Sequence, residues 1–446
     1  MGLTHRSRNV KTIILWSFLG ALAFGCILAW SLSIFGTAPS ALKTELEKAT
    51  HDGMPVEPND LRRLIVVPKD QNAAPLLTGA FKKLGDWSAS KDGKEFTKLV
   101  SVLRSDKSLS PTQFAALRQA VRSASGILAD LKEAVKLPLV DFNRDWGKGP
   151  ALLLPEYALA RTSCSLLLAQ ARIDFADAKD ASALTAMDSA ARLTKLIGQE
   201  PIIISLLVFC SLQSQVLRDL DEEIKKHPAD LPFLEQSRSI VNAIGATPDI
   251  RPAIGAELMS GRIAVKMLAH QGGAQVFGDN GGKMAVMARF GPARSVYELR
   301  YVEVMHKLYT DLGKNPKSFL AMRKVFEGID QRLGGNSDWS YGLAEFMSPA
   351  FGGMAQALGA AQARRNVTLS AIDLLESKSR LGAIPRTIGG TAGQWQDPFT
   401  EKPLLYHRSD TGFLIYSVGP DGKDNGGKPR SKEMSDTNYD IPFKFP

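Results

Sequence analysis

The sequence predicts a mainly α-helical membrane protein with three parts. These are an N-terminal transmembrane helix, a multi-helix extracytoplasmic domain made of helical hairpins, and a small C-terminal antiparallel β-hairpin with a long loop. Three observations predict this fold class: an uncharged apolar stretch at 12–36, long Ala/Leu-rich segments after it, and short apolar runs separated by turn residues at the end. With 446 residues and 44% hydrophobic composition, the chain can bury a substantial core.

These observations divide the chain into five segments. We expect a cytoplasmic N-terminus (1–11), a transmembrane helix (12–36), a membrane-proximal extended linker with the first helices (37–109), a helical domain (110–339), and a long helix with the β-hairpin tail (340–446). The formal net charge of +9 is spread along the chain without a basic block, so composition does not favour nucleic-acid binding.

The first element is the stretch 12–36, which is long enough to cross a hydrocarbon core of ~30 Å. Arg6, Arg8 and Lys11 precede it, and the next charge is Lys43, so the positive-inside rule keeps the N-terminus cytoplasmic. A cleaved signal peptide is the alternative, but its apolar region would be only ~7–15 residues long. We therefore expect a single-pass protein of the bacterial inner (cytoplasmic) membrane, with the bulk of the chain extracytoplasmic and the bilayer contacted through 12–36.

The next segments change from extended chain to helix. Prolines punctuate 51–77, which we expect to be extended, and "SPTQFAALRQAVRSASGILADLKEAVKLP" follows with one apolar stripe at helical intervals. Ser110 is a good N-cap, Pro111 fits the first helical position, Gly126 weakens the middle, and Pro138 ends the segment. The sequence predicts one long helix here.

Residues 156–226 predict three successive helices joined by short links, which indicates antiparallel hairpins. The run "IIISLLVF" is too short to span a membrane and predicts the most buried helix. The hairpins resemble tetratricopeptide-type spacing, but no diagnostic residue repeats at a fixed period. Cys164 and Cys210 lie in apolar helical runs, where either a disulfide or two small buried hydrophobic residues would fit.

Motifs that would identify a reaction are absent from the sequence. No two histidines have metal-ligand spacing, and no HExxH, CxxC or GxSxG occurs. The glycine-rich stretch around Gly282-Lys283 lacks the Ser/Thr of a phosphate-binding loop, so we expect no nucleotide site. The carboxylates Asp219, Asp221, Glu222 and Glu223 predict a solvated helix end rather than acid–base chemistry.

The last part of the chain predicts more helices and then strands. Helices are expected at 294–312, 316–333 and 340–379, the last interrupted near Gly352-Gly353. "PLLYHR" and "GFLIYSV" predict two strands joined by a turn at 409–412.

The loop after the second strand is dense in oxygen donors. Asp421, Asp424, Asn425, Asp436, Asn438 and Asp440 could serve a hard cation such as calcium, although a polar turn is the alternative. Lys423 and Lys432 occupy liganding positions of an EF-hand alignment that starts at Asp421, so the sequence does not predict an EF-hand.

Residues 397–446 resemble the C-terminal region of the major (G-type) pseudopilin of type II secretion systems. The matching residues are Asp397, Pro398, Phe399, Phe413, Ser417, Gly419, Asp421, Gly422, Asn438, Asp440 and Ile441. The resemblance implies a calcium site with ligands at Ser417, Asn438 and Asp440, to which Asp421 and Asp424 add candidate oxygens. Asn438 replaces an aspartate of that family, and the chain lacks the pseudopilin N-terminus, so it is not expected to be a pilus subunit.

The whole layout resembles a group of uncharacterised planctomycete-type bacterial envelope proteins with a membrane anchor. This resemblance rests on "MPVEPNDL", "NAAPLL", "QEPIIISLLV" and "DPFTEKPLLY…GFLIYSVGPDGKDNGG". The leading expectation is a non-enzymatic envelope protein with a protein partner, linked to a secretion or pilus-like assembly. The alternative is an envelope hydrolase with its active site in a helical cleft.

Overall fold

The computed structural model describes residues 36–104, 108–271, 289–315, 318–334, 338–347, 349–387, 395–431 and 438–446. The predicted cytoplasmic N-terminus and the predicted transmembrane helix, apart from Gly36, lie outside the described residues, as do the glycine-rich stretch 272–288 and Asp436.

The described part of the chain is mainly helical with one small sheet, which confirms the predicted fold class at this level. Its α-helices, in chain order, are α1 (36–51), α2 (Pro58–Leu64), α3 (Ala74–Ala89), α4 (Lys91–Arg104), α5 (Pro111–Ser123), α6 (Ser125–Ala134), α7 (Pro155–Ala176), α8 (Asp180–Ile197), α9 (Ile203–Lys226), α10 (Leu231–Ile244), α11 (Arg251–Gln271), α12 (Gly291–Lys314), α13 (Phe319–Gly334), α14 (Gly342–Met347) and α15 (Pro349–Leu381). Short 3-10 segments occur at Lys69–Gln71, Trp146–Ala151 and Trp339–Tyr341.

The single long helix expected after Ser110 is two helices. The N-cap is as predicted, because the Ser110 hydroxyl accepts from the Gln113 amide at 3.2 Å and the Gln113 side chain accepts from the Ser110 amide at 2.9 Å. The chain leaves helical geometry at Ala124 (φ −98°, ψ 12°), so α5 ends there and α6 begins one residue later. Gly126 lies in the first turn of α6 rather than in the middle of a helix.

Three of the central helices, α7 to α9, match the predicted hairpins within a few residues. The link between α8 and α9 carries Glu200, whose buried carboxylate accepts from the Arg144 guanidinium at 2.5 and 2.8 Å and from the Tyr157 hydroxyl at 2.7 Å. The pair is shielded from water, since Arg144 and Glu200 are 6% and 4% exposed. This network fixes the segment before α7 against the start of α9.

Helix α9 contacts α7, α8, α10 and α15. The run "IIISLLVF" at its start, predicted to lie in the most buried helix, is buried only in part, since Ile204 and Leu207 are 49% and 37% exposed. Of the described residues, only this helix is long and apolar enough to cross a membrane, and 61% of its apolar window is buried inside the protein. Cys210 on α9 and Cys164 on α7 are both buried free thiols. Of the two readings of these cysteines, the structure shows small buried residues without a disulfide.

The C-terminal sheet has three antiparallel strands in the order β1-β2-β3: Leu405–Arg408, Phe413–Ser417 and Ile441–Phe445. The hairpin of β1 and β2 and its turn are confirmed, with the Ser409 amide donating to the Gly412 carbonyl at 2.9 Å. The third strand was not predicted. It pairs with β2 alone, and as an edge strand it tolerates Pro442.

Two further expectations were wrong in detail. Helix α15 runs without interruption through Gly352 and Gly353. The stretch expected to be extended before the first long helices contains α2 and a 3-10 turn.

The sheet packs on the helical body. Phe413, Ile415, Phe443 and Phe445 belong to the same buried apolar cluster as Leu358 and Leu375 of α15. The Arg364 guanidinium, also on α15, donates to the Pro442 carbonyl at 3.1 Å and lies 3.3 Å from the Asp221 carboxylate. The tail is therefore held on α9 and α15 by apolar packing and by a buried polar link.

Candidate functional sites

The tail begins with a buried carboxylate that organises the end of β2. Asp397 is 1% exposed and accepts three hydrogen bonds, from the Phe399 amide (2.9 Å), the Val418 amide (2.8 Å) and the Ser417 hydroxyl (3.0 Å). Burial raises the pKa of Asp397, although the hydrogen bonds from Phe399, Val418 and Ser417 oppose that shift. The hydroxyl of Ser417, whose backbone is the calcium ligand that the pseudopilin resemblance implies, is thus bonded to Asp397.

Three of the four aspartates of the predicted calcium loop accept hydrogen bonds from main-chain amides of 423–427. Asp440 is 1% exposed and accepts from the Gly427 amide at 2.6 Å and from the Asn425 amide at 3.1 Å. Asp424 accepts from the Tyr416 hydroxyl at 3.0 Å and from the Gly426 amide at 2.8 Å. Asp421 accepts from the Lys423 amide and from the Asn425 side chain, both at 3.0 Å.

The charge of Asp424 affects the pKa of Asp440. Burial raises the pKa of Asp440, the amides of Gly427 and Asn425 oppose the shift, and the nearby Asp424 charge adds to it. Gly419 allows the loop to close, since a Cβ there would lie 2.0 Å from the Tyr439 carbonyl oxygen and its φ is +69°.

The predicted calcium ligands therefore fall into two groups. Asp421, Asp424 and Asp440 share the loop, whereas Ser417 faces Asp397 and Asn438 is exposed at the start of the last described segment. Within the described residues, no three His, Cys, Asp or Glu side chains converge as a metal site would require. The carboxylate oxygens of Asp421, Asp424 and Asp440 accept hydrogen bonds from amide and hydroxyl groups. To coordinate a calcium ion, these carboxylates would have to reorient towards a common centre. Calcium binding therefore stays a prediction.

A groove of about 860 Å³ opens between α5, α7 and α9. Its floor is apolar and is formed by Leu117, Leu168 and Met187, which are at most 5% exposed. Phe114 and Phe175 form partly buried walls. The ring of Phe175 lies 6.5 Å from that of His227 and 6.1 Å from that of Phe233, centroid to centroid. The volume lies in the usual range of ligand sites, ~300–1,000 Å³.

The polar side of this groove consists of ion pairs. The Arg172 guanidinium contacts both oxygens of Asp219 at 2.7 and 2.8 Å, and the Lys226 ammonium lies 2.8 Å from Glu223. Burial acts against the charge of Arg172, but Asp219 outweighs it and raises the pKa of Arg172. The charged groups of the groove thus largely neutralise one another.

The prediction that four carboxylates form a solvated end of α9 is wrong for two of them. Asp219 and Asp221 are 8% and 4% exposed. Asp219 is paired across the groove, and Asp221 accepts from the Thr368 hydroxyl of α15 at 2.7 Å. Asp219 and Asp221 contact different helices, α7 and α15, because residues two positions apart lie on opposite sides of a helix.

A second, smaller cavity of about 260 Å³ lies between the Trp146–Ala151 segment, the start of α9 and α11. Trp146, Leu152, Ile202 and Met259 contribute to an apolar lining, and Glu257 contributes a carboxylate. Burial raises the pKa of Glu257 to about 7. Glu257 was not predicted as a site residue, although "IGAELM" places one acid among small and apolar residues of a helix.

A scan against protein-family models, a search of curated proteins and a search of solved structures each gave no match to this chain.

Proposed function

We propose that the chain is a membrane-anchored, non-enzymatic protein of the bacterial cell envelope that binds a protein partner in the groove between α5, α7 and α9. The observation that carries this proposal is the groove itself, with its apolar floor at Leu117, Leu168 and Met187 and its paired charges along one side. The pseudopilin-like tail favours a partner in a secretion or pilus-like assembly.

The chemistry of the groove suits the apolar face of a helix or peptide. Such segments are recognised by apolar pockets, with polar groups along the rim that set register. The rim carries Arg218 and Glu222, whose side chains are 41% and 62% exposed. Both are ion-paired, Arg218 with Asp219 at 3.8 Å and Glu222 with Lys225 at 2.6 Å, as are the carboxylates of Asp219 and Glu223 with Arg172 and Lys226. A strongly charged ligand would find little uncompensated charge here.

The alternative of an envelope hydrolase needs an acid–base pair that converges on a bound substrate. In the groove, Asp219 and Glu223 are held by Arg172 and Lys226. Engaged in this way, these carboxylates fit a structural and recognition role better than proton transfer. We therefore favour a binding function over a hydrolase function.

The proposed location follows from the charge pattern around 12–36 and is tested separately. Protease added to intact spheroplasts should digest the region from 37 onwards, while an epitope at the N-terminus stays protected. A cytoplasmic marker protein controls for lysis. Protection of the main body would contradict the proposed orientation.

The groove proposal is tested by site-specific photo-crosslinking in cells that express the full chain. A photoreactive amino acid at Glu222, on the groove rim, should give a discrete adduct with an extracytoplasmic or membrane protein. The matched control position is Glu47 on α1, whose side chain is 66% exposed. Adducts common to both positions count as background.

A pair of aromatic substitutions links any adduct to the groove. Phe114→Glu alters the groove wall, and Phe290→Glu makes the same change at a residue that is 56% exposed outside the groove. The adduct at Glu222 should be lost with Phe114→Glu and kept with Phe290→Glu, both variants being checked for an unchanged melting temperature. No adduct above background, or an adduct indifferent to Phe114, would overturn the proposal.

A further inference from the structure

The smaller cavity differs from the groove because its lining is mostly apolar, with Ser260 as a neutral polar residue and a single ionisable group. Trp146, Leu152 and Ile202 line one side, and Met259 and Ala264 of α11 line the other. Among the described lining residues, Glu257 is the one that ionises. A carboxylate in such surroundings is costly unless something compensates its charge.

Within the described part of the chain, the Glu257 carboxylate has neither a hydrogen-bond donor nor an ion-pair partner. The nearby cation on the same helix, Arg262, is already engaged with Glu298 at 2.7 Å, Glu57 at 2.8 Å and the Val56 carbonyl at 2.6 Å. The Tyr301 hydroxyl donates to the main-chain carbonyl of Glu257 at 2.8 Å, not to its side chain. Glu257 thus lines the cavity with a carboxylate that has no partner among the described residues.

The mouth of this cavity is apolar as well. Ile204 lines the cavity and is 49% exposed, and Leu207 lies one turn further along α9 with 37% exposure. Leu153, between the lining residues Leu152 and Leu154, is 82% exposed. Large apolar side chains at such exposure mark a surface that a ligand can cover.

We propose that this cavity binds a small molecule that carries a primary ammonium group on an apolar body, with the ammonium paired to Glu257. The apolar body would lie against Trp146 and Met259 and reach towards Ile204. A cation supplies the donor and the charge that the carboxylate lacks, and an apolar body fits the remaining lining. The inference goes beyond the proposed function, because the cavity is separate from the groove.

The test compares two probes that differ in charge and share one apolar body. Phenethylamine and 2-phenylethanol are titrated into the full chain in nanodiscs of zwitterionic lipid, with empty nanodiscs as the blank. Binding is measured by calorimetry, and the methyl resonance of Met259 reports binding at the cavity. We expect saturable binding of the amine, at least ~10-fold tighter than the alcohol, together with a shift of the Met259 resonance.

The variant Glu257→Gln keeps the shape of the side chain and removes its charge. We expect it to weaken amine binding about tenfold and to leave alcohol binding unchanged. The matched control is Glu235→Gln, the same change at an exposed position of α10, which should bind the amine like the wild type.

Three results would overturn the proposal: equal affinities for amine and alcohol, amine binding that is indifferent to Glu257→Gln, or amine binding without a Met259 shift. The comparison of the two probes on the wild-type chain does not require the variant to fold.

Discussion

At the scale of single residues, the order of the tail depends on Asp397. Replacing it with alanine leaves two buried amides, of Phe399 and Val418, and the Ser417 hydroxyl without their acceptor. Because each such loss costs ~1–3 kcal/mol, we expect Asp397→Ala to lower the free energy of unfolding by about 2–4 kcal/mol. Urea denaturation followed by circular dichroism measures the change.

The control for this prediction lies in the same hairpin. Asp410 is exposed in the turn between β1 and β2, so Asp410→Ala should change stability by less than ~0.5 kcal/mol. Equal effects of the two substitutions would show that the hydrogen bonds of Asp397 contribute little.

The calcium prediction also belongs to single residues, since it concerns the oxygens of Asp421, Asp424 and Asp440. If the cation binds, calcium at millimolar concentration should stabilise the chain by about 1–3 kcal/mol, as expected for a weak extracytoplasmic site. Asp440→Ala should abolish that gain, and Asp410→Ala should keep it. Melting curves with calcium or with magnesium provide the measurement, and calcium curves identical to the metal-free ones would leave a hydrogen-bonded turn.

The two cysteines provide a further residue-level prediction. Burial raises the pKa of both thiols to about 12, and the thiolate is the reactive form. In a Cys26→Ala chain, a thiol reagent should therefore label Cys164 and Cys210 only after denaturation. Mass spectrometry of native and denatured samples measures the labelling, and rapid labelling of the native chain would contradict the burial of α7 against α9.

At the scale of elements, α1 is held on the body by one histidine of α12. His306 is 8% exposed, and its ring nitrogens lie 2.7 Å from Glu45 and 2.9 Å from Asp52. The two ring nitrogens therefore link α12 both to α1, through Glu45, and to the turn after α1, through Asp52. His306→Ala should speed hydrogen exchange in 36–51 by about tenfold.

The control is Lys43→Ala, since the Lys43 side chain is 80% exposed on the same helix and its ion pair is with Glu47, outside the His306 contact. The contact should also weaken in acid. Partial burial of Glu45 acts to raise its pKa, but the bonds from His306 and Lys48 outweigh it, and the His306 bond lowers the pKa of Asp52 as well. Stability gained from lowered carboxyl pKa values is present above the ordinary values of 4.5 and 3.8 and is lost as the pH falls further. The protection factors of 36–51, which correct exchange for its intrinsic dependence on pH, should therefore fall below about pH 4. Protection factors in 36–51 that do not change with pH or with His306→Ala would contradict this contact.

The elements that the sequence predicted are those with strong local signals. Ser110 and Pro111 predicted the start of α5, and the residues of the 409–412 turn predicted the hairpin, because caps and turns depend on neighbouring residues.

Strand β3 was missed since its pairing with β2 is long-range and Pro442 interrupts the strand pattern. Asp219 and Asp221 were misassigned because their partners, Arg172 and Thr368, come from distant helices. Glu257 was missed for the same reason: its cavity is assembled from three separated segments.

At the scale of the whole molecule, helices and sheet share one apolar core. Lys225 and Lys378 of the helices lie over the rings of Phe443 and Phe445 at 5.4 and 4.6 Å, next to the contact of Arg364 with Pro442. A tail packed in this way should unfold together with the helical body. The pH dependence of a buried carboxyl can therefore be read from a single global transition.

Two carboxyls, the partly buried Glu257 and the buried Asp221, should make that transition depend on pH. Burial raises the pKa of Glu257 from 4.5 to about 7 and that of Asp221 from 3.8 to about 6. Both groups keep their protons longer in the folded chain than in the unfolded one. The free energy of unfolding should therefore fall as the pH rises from about 4 to about 7 and then level off.

The Glu257→Gln variant isolates one of these two contributions, since Asp221 titrates in both chains. Between pH 5 and pH 8 the wild type should lose about 1–3 kcal/mol more stability than the variant, because the variant has no carboxyl to ionise in the apolar cavity. Urea denaturation at each pH measures the difference, with Glu235→Gln expected to follow the wild type. Parallel curves would mean that the Glu257 carboxylate is already compensated in the folded chain, and the cavity would then have no need of a cationic ligand. A diverging pair would show that the fold accepts an uncompensated charge at this position, as a site kept open for a cation requires.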